Sequence, residues 1–121
     1  MKIAVSSTGT TLESTMDQRF GRAANFVVVD TETMDFESLN NGAAASGGGA
    51  GISAAQTVVD KGVGAIITGN IGPNAMNVLQ AAQVDIFRGS PVSVKENIAK
   101  HQKGLLERID TSVAAHSGMG R

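Results

Sequence analysis

Apolar residues come in short bursts separated by polar, glycine-rich stretches, a rhythm of brief strands and amphipathic helices. Lys2-Ile3-Ala4-Val5-Ser6 is β-branched and ends at the turn-rich Ser7-Thr8-Gly9-Thr10, so it predicts a first strand running to the surface. Asn25 to Asp30 predicts a second. Phe36-Glu37-Ser38-Leu39 alternates apolar and polar after the polar Thr31 to Asp35, predicting a third strand paired to the second as an antiparallel hairpin with a half-exposed edge. Ile52, Ala55, Val58 and Val59 recur at helical spacing, and Gly62 is placed to stop that helix.

Gly64 to Thr68 is apolar on both faces, which suits a central parallel strand covered on either side. A helix from Asn74 to about Gln83 follows, with Pro73 in its first turn, and then a strand over Val84 to Phe87. Ser93-Val94-Lys95-Glu96 matches a capping box, in which hydroxyl and carboxylate satisfy each other's backbone donors, so a last helix is predicted over Val94 to about Gln102. Leu105 to Ile109 is a candidate edge strand. The pattern predicts a three-layer α/β fold with a mixed sheet, organised as one domain over residues 1–109 with a flexible tail over 110–121.

A length of 121 residues suits that single domain, which at this size buries roughly 65% of its unfolded surface and needs no staple. Cysteine is absent, which removes disulfides, thiolate nucleophiles and clusters held by this chain's own thiolates, and fits the cytoplasm. A net charge of -1 and aromatics at 3%, with no Trp or Tyr, provide neither a field nor stacking platforms for nucleic acid. With no apolar run long enough to span a bilayer and no signal-like start, neither a membrane nor secretion is expected.

Candidate chemistry concentrates in two glycine-rich loops and one arginine segment. Ser46-Gly47-Gly48-Gly49-Ala50-Gly51 opens a predicted helix, where unpaired N–H groups and partial positive charge favour an anion; a flexible connection is the competing reading. No Gly-Lys-Ser/Thr follows, and Ile52 takes the place of the third dinucleotide glycine, so no nucleotide is expected. Gly69-Asn70-Ile71-Gly72-Pro73-Asn74 follows a central strand and precedes a helix, placing Gly69, Gly72 and Pro73 near Ser7 where open α/β sheets bind ligands; a tight Gly-Pro turn explains it equally. Asp17 to Arg22 offers the guanidinium forks of Arg19 and Arg22 to an oxyanion or sulfide, or else an Asp17 to Arg22 ion pair with Phe20 as a core plug. His101, on a helix read as exposed, and His116, in the tail, make no metal site at recognised spacing, and core filling explains Met16. With no Gly-x-Ser-x-Gly, no His-Glu-x-x-His and no carboxylate pair after the first strand, catalysis is not expected.

Lys2-Ile3-Ala4-Val5, Arg19-Phe20-Gly21-Arg22-Ala23, Gly48-Gly49-Ala50-Gly51, Gly72-Pro73-Asn74-Ala75 and Ser93-Val94-Lys95-Glu96, in order and spacing, resemble the dinitrogenase iron-molybdenum cofactor biosynthesis family over about residues 1–108. That family includes NifX-like proteins and the domain appended to NifB. The resemblance implies an RNase H-like mixed sheet of about five strands, and non-catalytic binding or carriage of an anionic metal–sulfur cluster or molybdate-like anion. It further implies exchange with cluster donor and acceptor proteins. The ligand is then expected over Ser7, Arg19, Phe20, Gly21, Arg22, Gly48, Gly49, Gly51, Gly69, Gly72 and Pro73. Family members often carry His or Cys in the loop matching Gly47 to Gly49, where this chain has no liganding side chain. An interaction domain with a vestigial site, pairing through its exposed hairpin edge, is the alternative function.

Overall fold

The computed structural model describes residues 1–42 and 50–110. Six strands, β1 (Lys2–Ser7), β2 (Asn25–Asp30), β3 (Phe36–Asn40), β4 (Ala65–Thr68), β5 (Asp85–Arg88) and β6 (Glu107–Arg108), form one sheet in the order β3-β2-β1-β4-β5-β6. β2 runs antiparallel to its neighbours β1 and β3, β1, β4 and β5 are parallel, and β6 turns back antiparallel along β5. The resemblance implied about five strands; β6, inside the Leu105 to Ile109 stretch read as a candidate edge strand, makes six, a two-residue strand flanked by Ile109 N–H donating to the Ile86 carbonyl at 2.7 Å.

Three helices, α1 (Ala50–Asp60), α2 (Pro73–Ala81) and α3 (Val94–Gln102), complete the layers. The pleat sends Ala4, Phe26, Val28, Ile66 and Ile86 into one core with Ala54, Ala55 and Val58 of α1 and Ala75, Met76 and Leu79 of α2. The alternate residues Ile3, Val5, Val27, Val29, Ala65 and Ile67 pack with Met16 and with Val94 and Ile98 of α3. Strands buried on both faces carry continuous apolar runs, which is why β1 and β4 read clearly in the sequence. Gly62 and Gly104, at φ +75° and +71°, take the left-handed conformation just past α1 and α3.

His101 departs from the exposed position expected of it. It is half-buried, its ring edge-on to Phe87 with centroids 4.7 Å apart. The expected tail, residues 110–121, lies outside the described residues from 111 onward, and His116 with it.

Candidate functional site

At the carboxyl ends of β1 and β4 the connections diverge, one toward β2 and the other toward β5, leaving the crevice where open α/β sheets bind ligands. The segment after β1 is tied into this crevice by buried hydroxyls. Ser6 Oγ lies 2.6 Å from the Asp17 carbonyl and 2.8 Å from Thr68 Oγ1, so Thr68, Ser6 and Asp17 form a continuous chain of donors and acceptors. Beyond it, Asn70 N–H donates to the Gln18 carbonyl at 2.6 Å and Phe20 N–H to the Asn70 carbonyl at 3.1 Å. Only a glycine fits at 69, because a Cβ there falls 2.8 Å from Gln18 Cβ. Arg88 Nη1 donates to the Gly69 carbonyl at 2.7 Å and fixes the loop from its other side.

This pairing carries Phe20 and Gly21 up to the helices. Phe20 is 2% exposed and packs on Phe26 at 5.1 Å between centroids, which makes it the core plug expected of it and also a wall of a cavity. Asn41 Nδ2 donates to the Gly21 and Ala23 carbonyls at 3.2 and 2.8 Å, holding the turn that follows. A cavity of about 230 Å³ opens between Phe20-Gly21 and the first turns of α1 and α2, lined also by Gly51, Ile52, Gly72, Pro73, Asn74 and Ala75. The two helices approach closely there: a Cβ on Gly51 would lie 3.3 Å from Ala75 Cβ.

Gly72 caps α2 with extended φ of -82° and ψ of 170°, and no side chain caps the helix. Pro73 has no N–H, and Met76 N–H donates to the Gly72 carbonyl at 3.1 Å. No acceptor among the described residues takes the Asn74 and Ala75 amides, so two donors and the positive end of the helix dipole are open at the cavity.

Of the expected site residues, Phe20, Gly21, Gly51, Gly72 and Pro73 come together around this cavity. Gly48 and Gly49 lie outside the described residues. Gly69 serves the close packing behind the wall rather than the wall itself. Ser7 is fully buried, its Oγ accepting from Gly9 N–H at 3.1 Å, and does not line the cavity. Arg19 and Arg22 flank Phe20-Gly21 with exposed side chains.

Of the ion pair offered as the competing reading, Asp17 is present but its partner is Arg19 rather than Arg22. Asp17 Oδ1 accepts from the Arg19 N–H at 2.9 Å, and the carboxylate then takes Nε and Nη2 at 3.3 Å each. That turn aims the residue two positions on, not five, at the carboxylate. The hydrogen bond from Asp17, with its charge, raises the Arg19 guanidinium above its ordinary range, and part of its donor fork is committed. Asn74 and Ala75 were missing from the sequence expectation, although their place behind Gly72-Pro73 signals open amides. Ile52 carried no signal. Among the described residues there is no group of three or more His, Cys, Asp or Glu able to hold a metal ion.

The model of the family described as dinitrogenase iron-molybdenum cofactor matches residues 1–104. The chain is 31% identical over 98 residues to an uncharacterized protein of Methanocaldococcus jannaschii, covering 78% of this chain and 83% of that one. Its fold superposes on the apo form of the orange protein from Desulfovibrio gigas with a TM-score of 0.86 and 38% identity, over 89% of this chain and 92% of the other. A Thermotoga protein described as a candidate NifB protein gives a TM-score of 0.81 at 36% identity, over 91% and 94% of the two chains. With nearly its whole described length matched, the chain belongs to the dinitrogenase iron-molybdenum cofactor family.

Proposed function

We propose that this protein binds and carries, without catalysis, an anionic metal–sulfur cluster or a molybdate-like anion on the way to a molybdenum- or iron-containing cofactor. The carrying observation is the uncapped first turn of α2, with the Asn74 and Ala75 amides open to a cavity whose other wall is Phe20-Gly21. The residues fit such a cargo and not a bare cation. A chain without cysteine offers no thiolate, and the described residues offer no ligand cluster, so the cargo has to bring its own sulfides or oxygens. Backbone N–H groups at a helix N-terminus then meet those atoms as donors. A cavity of about 230 Å³ falls below the roughly 300–1,000 Å³ of sites for larger ligands, which favours a compact inorganic anion over a nucleotide.

In this reading Arg19 and Arg22, with Gly48 and Gly49 from the loop before α1, complete the shell around the anion. Residues 1–109 act as one unit, with 110–121 as a dispensable tail, in the cytoplasm, between donor and acceptor proteins. No helix of the described residues is long and apolar enough to cross a membrane. The D. gigas relative is described in an apo form, which supports a bound group in that protein and, by similarity, a cargo here.

Titration with tetrathiomolybdate without oxygen, followed by visible absorption and backbone amide shifts, tests the reading. Saturable binding with the largest shifts at Asn74 and Ala75 is expected. Arg22→Ala should weaken it about tenfold to a hundredfold and Arg22→Lys by less, because lysine restores charge but not the planar fork. Absence of saturable binding by tetrathiomolybdate and molybdate alike overturns the proposal; unchanged affinity in Arg22→Ala removes Arg22 from the site.

A further inference from the structure

The two edges of the sheet are built differently. β6 is two residues long and both are charged, the usual protection of an edge. β3 has five residues with no proline and no lysine, and Phe36 on it is 44% exposed. Asp30 N–H donates to the Asp35 carbonyl at 2.9 Å and Asn41 N–H to the Ala24 carbonyl at 3.0 Å. With Val28 opposite Glu37 and Phe26 opposite Leu39, this phase turns the backbone groups of Glu37 and Leu39 toward β2. Those of Phe36, Ser38 and Asn40 point outward, and none has a partner among the described residues.

Beside this edge lies a second cavity of about 220 Å³ lined by Lys2, Val28, Asp30, Asp35, Phe36 and Glu37. Three carboxylates face one amine in its lining, and Lys61 reaches Glu37 Oε1 from outside at 3.0 Å. A strand added to β3 would place its residues alternately beside Glu37 and beside Phe36. We infer that the open edge of β3 docks an extended segment of a partner protein in which basic and apolar residues alternate, the basic ones beside Glu37 and the acidic cavity, the apolar ones beside Phe36. A second copy of this chain is a poor occupant. Antiparallel self-pairing centred on Ser38 sets Glu37 opposite Leu39 and brings the two Glu37 carboxylates into diagonal proximity. The edge shares no residue with the cavity at α1 and α2, so this inference stands apart from the cargo reading.

The probe is a short capped peptide of alternating valine and lysine, with its valine–glutamate counterpart as control, followed through backbone amide shifts. Saturable shifts centred on Phe36, Ser38 and Asn40, with a dissociation constant below about 1 mM for the lysine peptide and no saturation by the glutamate peptide, are expected. Ser38→Pro removes an outward N–H without touching the β2 ladder, and should weaken binding at least about tenfold with the melting temperature little changed. Glu37→Lys should reverse the preference between the two peptides, and it keeps the test decisive if Ser38→Pro does not fold. Equal binding of both peptides, shifts away from β3, or concentration-dependent shifts of the β3 amides with a doubling of mass would each overturn the inference.

Discussion

α2 and α3 are the same length and sit on opposite faces of the sheet, yet their N-termini are finished in opposite ways. At α3 every orphan donor is met: Val94 N–H goes to the Ser14 carbonyl and Lys95 N–H to the Leu12 carbonyl, both at 2.8 Å. Glu96 N–H goes to Ser93 Oγ and Asn97 N–H to the Ser93 carbonyl, both at 3.0 Å. At α2, Gly72 contributes no side chain and no acceptor among the described residues takes the Asn74 and Ala75 amides. A helix dipole points out of both, but only the uncommitted donors can meet a ligand. The closed end serves stability, and in the proposed reading the open end serves binding.

Breaking the closed end should have the largest effect. Asn97 is fully buried beneath it, its Oδ1 accepting from Ser90 N–H at 2.9 Å while Nδ2 donates to the Ser90 and Ser93 carbonyls at 3.0 and 3.1 Å. Asn97→Ala strands those backbone groups and leaves a void, and should lower unfolding free energy by about 2–4 kcal/mol in urea denaturation. Anion affinity of the folded fraction should stay unchanged. A fall in affinity at unchanged stability would mean that the two ends are not separable.

The middle effect comes from making the open end resemble the closed one. A Cβ added at Gly72 would have nothing within 4 Å, and the residue already holds the extended conformation of an N-cap. Gly72→Ser supplies an oxygen for the Asn74 or Ala75 amide, adding a few tenths of a kcal/mol of stability while weakening tetrathiomolybdate binding about tenfold. Gly72→Asp adds repulsion and should weaken it further. Ser93→Ala is the mirror experiment, losing about 1 kcal/mol of stability with affinity unchanged. Equal affinity in wild type and Gly72→Ser would show that the α2 amides are not the anion's donors.

The same contrast explains what the sequence made legible. Ser93-x-x-Glu96 announced a capped helix, although the Glu96 carboxylate meets the Ser93 hydroxyl at 3.4 Å rather than completing the reciprocal box. Gly72-Pro73 announced a helix start, but not the open amides behind it. Strands β1, β2 and β4 were legible because burial on both faces demands unbroken apolar runs. β6 lies inside the Leu105 to Ile109 stretch read as a candidate edge strand, but its bounds were not legible, because its two charged residues carry no apolar period and pair only with β5. Ser7 and Gly69 were rightly placed at the strand ends, but proximity in topology does not say which way a side chain points. Arg19 captured Asp17 because a local turn competes on better terms than a contact across a longer loop.

The smallest effect lies at the other end of α3 and opposes two influences on one residue. His101 is in the last turn with Lys100, where the helix dipole favours an imidazolium, and Asp85 also pulls its pKa upward. Burial against Phe87 prevails and holds the pKa below its ordinary 6.5; Nδ1 is enclosed without a hydrogen-bond partner among the described residues. The folded state therefore binds fewer protons than the unfolded one just below pH 6.5, so stability rises with pH across that window. The contribution is complete above the unfolded-state value and is lost as pH falls. Urea midpoints measured from about pH 7.5 down to about pH 5.5 should decline more steeply in the wild type than in His101→Gln, by less than one proton's slope. Subtracting the two profiles cancels the carboxylates and His116, which both proteins retain. A wild-type profile no steeper than that of His101→Gln would show that the dipole and Asp85 outweigh burial, and that the C-terminal end of α3 accommodates charge as its N-terminal end does not.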